Sequence, residues 1–414
     1  MKQLEPRNLK GFRDFLPTEA RKRQYVIDVL KTVFESFGFE PLETPALEYE
    51  ELLIGKYGEE GDKLMYRFED NGQRKVAMRY DQTVPLARVV TQHQNELPLP
   101  FKRYQIQPVW RAENTQKGRY REFLQCDADI VGGTSSLSDA EIVALAAKTI
   151  ETLGILNYKI YINDRKNLQF FINGDVLSTE KNTQVIRALD KLKKIGKVGV
   201  NEELINNGFS QNDITFLLND IENKKPTILL QEIMSNVTSF GINASKIEFS
   251  PTLARGLDYY TGLIFEIEID NYTSGSICGG GRYDNLIGIF SERLIPAVGF
   301  AFGFDRLLES MEQLSLFPTS LQTTKVLVTI FSPDLKDKSI EISSILRINN
   351  INTELYLDEN AKMEKQLKYA NNKNIPYVVI IGPTEAEKNM VQLKNMETRE
   401  QKEITIKELI SILK

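Results

Sequence analysis

The sequence predicts an α+β protein that has a large antiparallel sheet, an inserted helical module and a smaller C-terminal α/β domain. Three features predict this class. Apolar and polar residues alternate with a period of two through residues 103–131 and again through Leu263–Ile269, as in half-buried strands. Residues 165–248 are rich in lysine and asparagine, and their apolar spacing is helical. After residue 325, strand-like and helix-like segments alternate, which is typical of an α/β domain.

Length and composition are those of a multidomain globular protein. A chain of 414 residues is too long for one core. We place the domain boundaries at 1–322, with the insertion at 165–248, and at 323–414. The chain is 41% hydrophobic, and it has neither an apolar run that could span a membrane nor an apolar signal segment near its start. We therefore expect a cytoplasmic protein that has no membrane partner.

Cysteine and histidine are too scarce for several kinds of site. Cys126 and Cys278 cannot form a disulfide framework or a four-cysteine zinc site, so reduced thiols are expected. The one histidine, His93, lies in a polar stretch, which is typical of a solvated or helix-end histidine. We therefore expect no histidine general base, no serine–histidine–aspartate triad and no histidine metal cluster.

The N-terminal region predicts a helix and an extended segment. The helix spans residues 18–37, because Pro17 and Thr18 start it and Gly38 ends it. The segment that follows, residues 39–45, contains prolines that restrict it to a sheet edge or an interface.

Two antiparallel strands are predicted next, at residues 103–111 and 121–130, joined by a polar loop at 112–118. One face of this pair is apolar and should pack on the core. The other face carries Arg111, Phe123, Gln125 and Asp129. A solvated sheet face would account for this polarity, whereas the isolated Phe123 among charged neighbours favours a ligand platform.

The insertion contains a small basic cluster at Lys191–Lys197. The net charge of −5 argues against general coating of nucleic acid, although a local basic patch could hold an RNA. The cluster is either a solvated helix face or an RNA contact, and the sequence leaves both open.

The remaining segments predict the end of the core and the last domain. Residues 296–308 read as a buried strand that runs into a helix, with Arg306 near the helix N-terminus, where anions are favoured. Residues 314–324 read as a linker, and a mostly parallel sheet is expected after it. The expected strands are 326–331, 353–357, 376–381 and 391–393, and the expected helices are 336–348, 360–369 and 404–413.

Two short motifs, Ala254–Gly262 and Gly279–Asp284, each set an arginine and tyrosine beside glycines. Glycine lets backbone approach a ligand closely, arginine offers a planar fork for carboxylate or phosphate, and tyrosine gives a flat wall with a hydroxyl. Together they predict a pocket for a small anionic ligand that is partly aromatic or heterocyclic.

The sequence has no phosphate-binding glycine-rich loop and no dinucleotide fingerprint. Any nucleotide must therefore be held by side chains. Four arginines lie at strand ends or strand–loop junctions, where they could clamp a triphosphate. They are Arg111, Arg119, Arg255 and Arg306.

The order of these segments resembles that of the class II aminoacyl-tRNA synthetases. Motif 1 of that class resembles Gly38–Pro45, motif 2 resembles Val109–Glu113 with Arg119–Phe123, and motif 3 resembles Gly299–Arg306. The two arginine–tyrosine–glycine motifs resemble the signatures of the histidyl-tRNA synthetase family. The resemblance covers the whole chain and implies a class II catalytic core followed by an anticodon-binding domain.

The resemblance implies a role for each candidate site residue. Arg111 and Arg255 are implied as the catalytic residues, which grip the substrate carboxylate and the α-phosphate. The residues implied in binding histidine are Asp81, Gln82, Thr83, Arg111, Gln125, Asp129, Arg255, Tyr259, Tyr260 and Tyr283. Asp81, Thr83 and Gln125 would hold its ammonium group, and Asp129 and Tyr260 would read its imidazole. The residues implied in binding ATP are Arg111, Glu113, Arg119, Phe123 and Arg306.

The implied activity has two steps. Histidine attacks the α-phosphorus of ATP to give histidyl-adenylate, and the histidyl group then passes to the 3′-end of tRNA(His). ATP with Mg²⁺ is expected, without assigned protein ligands for the metal. The resemblance also implies a homodimer with Pro45 at its interface. Asp81 and Asp129 stand where many bacterial members carry glutamate, and Gly279 stands where alanine is more usual.

Rival functions fit the sequence less well. The regulatory paralogue of ATP phosphoribosyltransferase shares the core but typically lacks the C-terminal domain, whereas residues 325–414 are present here. A non-catalytic, synthetase-like RNA-binding protein would not need Arg111, Arg255 and Arg306 together. Another class II synthetase is disfavoured by the segment Arg255–Gly262.

Overall fold

The computed structural model describes residues 5–55, 58–115, 118–172, 175–255, 259–272, 275–290, 293–319 and 321–414, and the side chains of 58–60 are excepted. Gly256, Leu257 and Asp258 of the first motif, and Gln116 and Lys117 of the polar loop, lie outside the described residues. The chain divides into two compact units, Met1–Phe317 and Pro318–Lys414.

The first unit contains both helices and strands. Its helices are α1 (Pro17–Ser36), α2 (Glu50–Leu53), α3 (Gly58–Lys63), α4 (Thr83–Gln92), α5 (Ser136–Thr152), α6 (Thr179–Asp190), α7 (Leu192–Asn206), α8 (Gln211–Asn223), α9 (Ile228–Ser239) and α10 (Phe304–Gln313). Its strands are β1 (Glu40–Pro41), β2 (Leu47–Tyr49), β3 (Arg67–Glu69), β4 (Lys75–Met78), β5 (Phe101–Trp110), β6 (Glu122–Val131), β7 (Tyr158–Asp164), β8 (Phe171–Ile172), β9 (Asp175–Val176), β10 (Ile247–Phe249), β11 (Leu263–Ile269), β12 (Cys278–Arg282) and β13 (Ala297–Gly303).

The central sheet has the order β1-β5-β6-β13-β12-β11-β7-β10. Its inner pairs are antiparallel, and only the edge pairs β1–β5 and β7–β10 are parallel. The predicted strand pair is confirmed as β5 and β6, which pair from Phe101 opposite Val131 to Trp110 opposite Glu122. The α+β class and its antiparallel core are therefore as the sequence predicts.

One face of the sheet packs against helices and forms the main core. The predicted N-terminal helix is confirmed as α1, which buries Val26, Leu30, Val33 and Phe34 there. Helix α9 falls inside the predicted insertion, yet it buries its apolar residues in this same core. Helices α6, α7 and α8 instead share a separate apolar cluster with Ile264 of β11. The helical module beside the sheet is thus built from α6 to α8.

The basic cluster of the insertion is largely paired with acidic residues. Lys191 lies 2.7 Å from Glu203, while Lys193 pairs with Glu268 and Lys197 pairs with Glu222. These ion pairs favour the solvated, structural interpretation of the cluster. His93 follows the end of α4, where its side chain contacts Glu96, as expected for a helix-end histidine.

The second unit is a five-stranded sheet with helices. Its strands are β14 (Val326–Val328), β15 (Thr353–Leu355), β16 (Tyr377–Ile380), β17 (Met390–Asn395) and β18 (Gln401–Thr405), and its helices are α11 (Lys336–Ile348), α12 (Met363–Asn372), α13 (Pro383–Lys388) and α14 (Ile406–Leu413). The order is β15-β14-β16-β17-β18. The expectation of a mostly parallel sheet is wrong, because β16–β17 and β17–β18 are antiparallel. Within the described part of the chain, no helix combines the length and apolarity needed to cross a bilayer.

Candidate active site

The second face of the central sheet is polar and buried. Three cross-strand pairs line it on β5 and β6: Arg103 with Asp129, Gln105 with Asp127, and Gln107 with Gln125. Arg103 and Gln105 are 0% exposed, Asp127 is 3% exposed and Asp129 is 4% exposed. A solvated sheet face is therefore wrong as the explanation of this polarity. Buried polar groups need partners, so this face needs either internal contacts or a ligand.

Asp129 is held from two sides. Its Oδ2 lies 2.7 Å from Nη2 of Arg103, and its Oδ1 accepts a hydrogen bond from the Tyr283 hydroxyl. Burial raises the pKa of Asp129, while Arg103 and Tyr283 oppose that rise. These two contacts fix the orientation of the carboxylate, as a recognition group requires.

Asp81 and Gln82 enter the site from the start of α4. The Asp81 carboxylate accepts hydrogen bonds from the backbone N–H groups of Thr83 at 3.0 Å and Val84 at 3.3 Å, so it satisfies two donors of the first turn of α4. The Gln82 amide donates to the backbone carbonyls of Gln107 at 2.9 Å and Gln125 at 3.2 Å. These contacts dock the helix start against β5 and β6.

Several buried acceptor atoms of this region have no hydrogen-bond partner among the described residues. They are Oε1 of Gln82, Oε1 of Gln125, Oδ1 of Asp127 and Oδ2 of Asp129, the last of which is close to Arg103 as an ion pair. The Gln125 amide donates to the other carboxylate oxygen of Asp127 at 3.1 Å, so these two side chains adjoin each other. Unpaired buried acceptors are costly, and a cationic donor would satisfy them.

Asp127 is a site residue that the sequence analysis did not assign. Burial raises its pKa well above the ordinary value, Asp129 and Asp81 add to the rise, and Arg103 opposes it. The alternation of the sequence could have identified Asp127, because Asp127 lies on the same period-two face as Gln125 and Asp129. Three acidic side chains thus influence one another at this place, so a ligand that carries positive charge would relieve their repulsion.

Arg255 lies on the same face of the sheet, further along the strand order. Its Nη1 lies 2.9 Å from Oε1 of Glu266, and its buried Nε has no hydrogen-bond partner among the described residues. Burial alone would lower the pKa of Arg255, but nearby Tyr260 and Glu266 more than offset this, so the pKa is raised. Arg255 therefore stays charged and retains an unused donor.

Two glycines make room for charged side chains on this face. A Cβ at Gly279 would lie 1.7 Å from Nη1 of Arg255, and a Cβ at Gly299 would lie 1.8 Å from Oδ1 of Asp129. No side chain fits at either position unless the charged group moves. Gly279 stands where alanine is more usual in the family, and in this structure the missing side chain allows Arg255 to occupy its place.

The tyrosines of the two motifs form one aromatic group. The rings of Tyr259 and Tyr260 have centroids 4.8 Å apart, and those of Tyr259 and Tyr283 are 5.9 Å apart. Burial is the main cause that raises the pKa of all three hydroxyls, so they remain neutral donors. The structure therefore brings both motifs together beside Asp129.

Arg111 is held between two rings just after β5. Its guanidinium carbon lies 4.4 Å from the Tyr80 ring centroid and 5.2 Å from that of Phe123, and its Nε donates to the Tyr80 carbonyl at 3.1 Å. Arg111 and Phe123 therefore lie together, as the alternation predicts. This pair offers a cation beside a flat apolar surface.

The remaining candidate residues, which are those predicted to bind ATP, form contacts with nearby groups of the protein. Arg119 lies 3.3 Å from Glu113 and its side chain is 56% exposed, so these two pair with each other in the loop after β5. Arg306 lies in the first turn of α10, as predicted, and its Nη1 donates to the Ser276 carbonyl at 3.0 Å. Among the described residues, neither arginine forms a hydrogen bond or ion pair with the Asp129 region.

Arg79 is a buried residue to which the sequence analysis gave no role. Its Nη1 donates to the carbonyls of Thr44 at 2.6 Å and Pro45 at 3.2 Å, and its Nε donates to the carbonyl of Pro108 at 2.9 Å. It thereby joins the proline-bounded segment to the end of β5. The sequence could have identified Arg79 by its position directly before Tyr80 and Asp81.

Comparison with known proteins assigns the chain. The family model described as histidyl-tRNA synthetase matches residues 11–307. The chain belongs to the histidyl-tRNA synthetase family. A second model, described as an anticodon binding domain, matches residues 325–414.

Relatives within the histidyl-tRNA synthetase family match nearly the full chain. Histidine–tRNA ligase of Cytophaga hutchinsonii is 40% identical over 97% of this chain and 98% of its own. Histidine–tRNA ligase of Rhodopirellula baltica is 39% identical over 97% of this chain and 96% of its own. The crystal structure of histidyl-tRNA synthetase from Nostoc sp. PCC 7120 matches with a TM-score of 0.86 and 30% identity, and covers 99% of both chains.

The histidyl-tRNA synthetase match lies within the first unit, and the anticodon-binding match lies within the second. The regulatory alternative is not favoured, because the family match is joined by the C-terminal domain match. The described residues include no group of three or more histidine, cysteine, aspartate or glutamate side chains that could hold a metal ion.

Proposed function

We propose that this chain is a histidine–tRNA ligase that activates L-histidine with ATP and transfers it to the 3′-end of tRNA(His). One observation carries the proposal. Among the described residues, buried acceptors on β6 and at the start of α4 have no hydrogen-bond partner, and neither does the Nε donor of Arg255, which lies on the same sheet face as the three tyrosines. This arrangement fits an amino acid, which is positive at one end, negative at the other, and heteroaromatic in its side chain.

Histidine recognition divides between two groups of residues. Asp81, Thr83 and Gln125 receive the α-ammonium group, and the adjoining Asp127 adds an acceptor to this set. Asp129 accepts from the imidazole N–H, since Arg103 and Tyr283 fix its orientation. Tyr260 also contacts the imidazole. A site built to pair every polar group of one ligand rejects ligands that lack those groups.

ATP binds across the end of β5 and the start of α10. Phe123 stacks on the adenine ring, and Glu113 faces the adenine edge or the magnesium ion that accompanies ATP. Arg119 and Arg306 hold the outer phosphates. Arg119 is exposed and pairs with Glu113, so it is available to exchange this partner for a phosphate.

The chemistry needs no nucleophilic side chain. A carboxylate oxygen of histidine attacks the α-phosphorus in line, and the bond to the bridging oxygen breaks as pyrophosphate leaves. The terminal ribose 3′-hydroxyl of the tRNA then attacks the histidyl carbonyl, and AMP leaves. Arg111 and Arg255 offset the charge that develops on the phosphorus oxygens, and fixed positioning supplies much of the rate.

The working enzyme is a cytoplasmic homodimer that binds tRNA through its C-terminal unit. An exposed apolar patch supports dimerisation. The small sheet β2-β4-β3 places Tyr49 and Phe68 opposite Val76 on one face, and Tyr49 and Phe68 are 52% and 47% exposed. Leu47, two residues after Pro45, is 43% exposed. Such a patch marks a protein interface, and a twofold contact is the commonest kind.

Charging of bacterial tRNA tests the proposal. The purified protein is incubated with ATP, total tRNA and each of the twenty amino acids in labelled form. Only histidine should become attached to tRNA. A variant that lacks residues 325–414 should lose most of this charging while it still forms adenylate, because a remote tRNA-binding unit contributes to the second step only. Charging with another amino acid would overturn the proposal.

A further inference from the structure

Glu266 on strand β11 is an acidic residue whose side chain lies on the polar face of the central sheet, the face that carries the candidate active site. Its neighbours Phe265 and Ile267 lie in the main core, so Glu266 points to the opposite side of the sheet. It stands opposite Gly279, which stands opposite Ala301, which in turn stands opposite Asp127. Glu266 and Asp127 therefore share one row across the sheet, with only small residues between them.

Arg255 lies at this row and contacts Glu266. The distance from Nη1 to Oε1 is 2.9 Å. A Cβ at Gly279 would lie 1.7 Å from the same nitrogen, so the guanidinium lies directly over the glycine. The absence of a side chain at position 279 and the carboxylate at position 266 together define one place for this arginine.

The contact uses only part of the guanidinium. Arginine has five N–H donors in a rigid fork. Glu266 occupies the Nη1 end, whereas the buried Nε has no hydrogen-bond partner among the described residues. One edge of the fork is thus anchored to the protein, and a donor remains for a carboxylate or phosphate oxygen.

We infer that Glu266 is the positioning residue of Arg255, which it holds in the orientation that serves adenylate formation. The inference rests on the proposed role of Arg255 at the α-phosphate. A long arginine side chain that is anchored in advance needs no reorganisation when charge develops on the phosphorus. Glu266 itself touches no reacting atom.

The chain offers a matched control two residues along the same strand. Glu268 alternates to the same face as Glu266, and it pairs with Lys193 of the helical insertion rather than with Arg255. Glu268→Gln removes one negative charge from the same strand and leaves the arginine contact intact. Any effect of overall charge or of strand stability should appear in both variants.

The test measures histidine-dependent exchange of pyrophosphate into ATP with the full-length protein. The variants are Glu266→Gln, Glu266→Ala, Glu268→Gln, Arg255→Ala and the double variant Arg255→Ala with Glu266→Ala. We expect Glu266→Ala to lower kcat by on the order of 10²-fold, as misplacement of a catalytic group does, and to raise the KM for histidine by a smaller factor, because Arg255 also contacts the substrate carboxylate. Glu266→Gln retains an acceptor and should lose less, and Glu268→Gln should resemble the wild type.

The double variant separates positioning from general structure. If Glu266 acts through Arg255, its substitution should cause no further loss once Arg255 is alanine. An equal loss of kcat in both backgrounds would overturn the inference, as would wild-type kcat in Glu266→Ala. Thermal unfolding of each variant identifies loss of fold. A wild-type protein without histidine-dependent exchange would overturn the proposed function and this inference together.

Discussion

Arg103 and Asp129 face each other across the β5–β6 strand pair, and their charged groups lie 2.7 Å apart on the polar face of the central sheet. Both side chains are almost fully buried. Neither charge has bulk water to stabilise it, so each depends on the other. This pair links the stability of the core to the orientation of the carboxylate that is proposed to read imidazole.

Breaking this pair should be costly. Arg103→Met leaves Asp129 buried without its cation, and we expect the free energy of unfolding to fall by about 3–5 kcal/mol. Lys22→Met, which removes a partly exposed partner of Glu312, should cost about 1 kcal/mol or less. Denaturant unfolding of both variants checks this difference. If the free energy of unfolding fell equally in the two variants, the buried Arg103–Asp129 pair would not have the importance for stability that is stated above.

Asp127 should contribute to amino-acid binding and not to ATP binding. Asp127→Asn retains the shape of the side chain but removes its charge. Because a hydrogen bond to a charged group is worth about 1.5–3 kcal/mol, we expect the KM for histidine to rise by roughly 10- to 100-fold. The KM for ATP serves as the internal control and should stay unchanged. A parallel rise of both constants would place Asp127 outside the ammonium contact.

Asp139 should make stability depend on pH. It lies 2.8 Å from Arg282, and burial raises its pKa to about 6, whereas the unfolded value is about 3.9. The folded protein thus binds this proton more tightly than the unfolded chain does. The contribution of Asp139 to the free energy of unfolding is therefore fully present below about pH 4 and is lost as the pH rises through about 6.

The matched variant Asp139→Asn isolates this contribution. We expect the wild type to lose on the order of 2 kcal/mol relative to Asp139→Asn between pH 4 and pH 7. Urea unfolding of both proteins across that range measures the difference. A difference that does not change with pH, or that changes in the opposite direction, would show that Asp139 is ionised throughout.

The exposed patch of the small sheet should control association. Phe68→Glu places a charge in the patch, and we expect it to shift the protein from dimer to monomer in sedimentation. Phe216→Glu provides the control, because Phe216 is 54% exposed but lies on α8 in the helical insertion. Association that is lost equally in both variants would not support this interface, and a wild-type monomer would remove the proposed homodimer.

Much of the core was predictable from the sequence. The period-two alternation of β5 and β6 placed Arg111, Phe123, Gln125 and Asp129 on one face, and the strand register confirms this for the paired residues. Burial of that face was not predictable, because a solvated face and a ligand site share the same pattern. The charge of Arg103 appears in the sequence, but its burial depends on the elements that cover it.

Other errors have equally local causes. Strand β18 was missed because Gln401–Thr405 is mostly polar, so the closing helix was placed two residues early. Helix α9 carries the same helical pattern as its neighbours, and only its packing separates it from them. The Arg255–Glu266 contact spans eleven residues without a recognisable spacing, so it required the structure.

Pyrophosphate exchange across the amino acids tests the central claim most directly. The wild-type protein is incubated with ATP, magnesium, labelled pyrophosphate and one amino acid at a time, without tRNA. The account predicts that histidine alone supports rapid formation of labelled ATP, and that Arg255→Ala lowers this rate by on the order of 10²–10³-fold. Equal exchange with another amino acid, or no exchange with histidine, would contradict it.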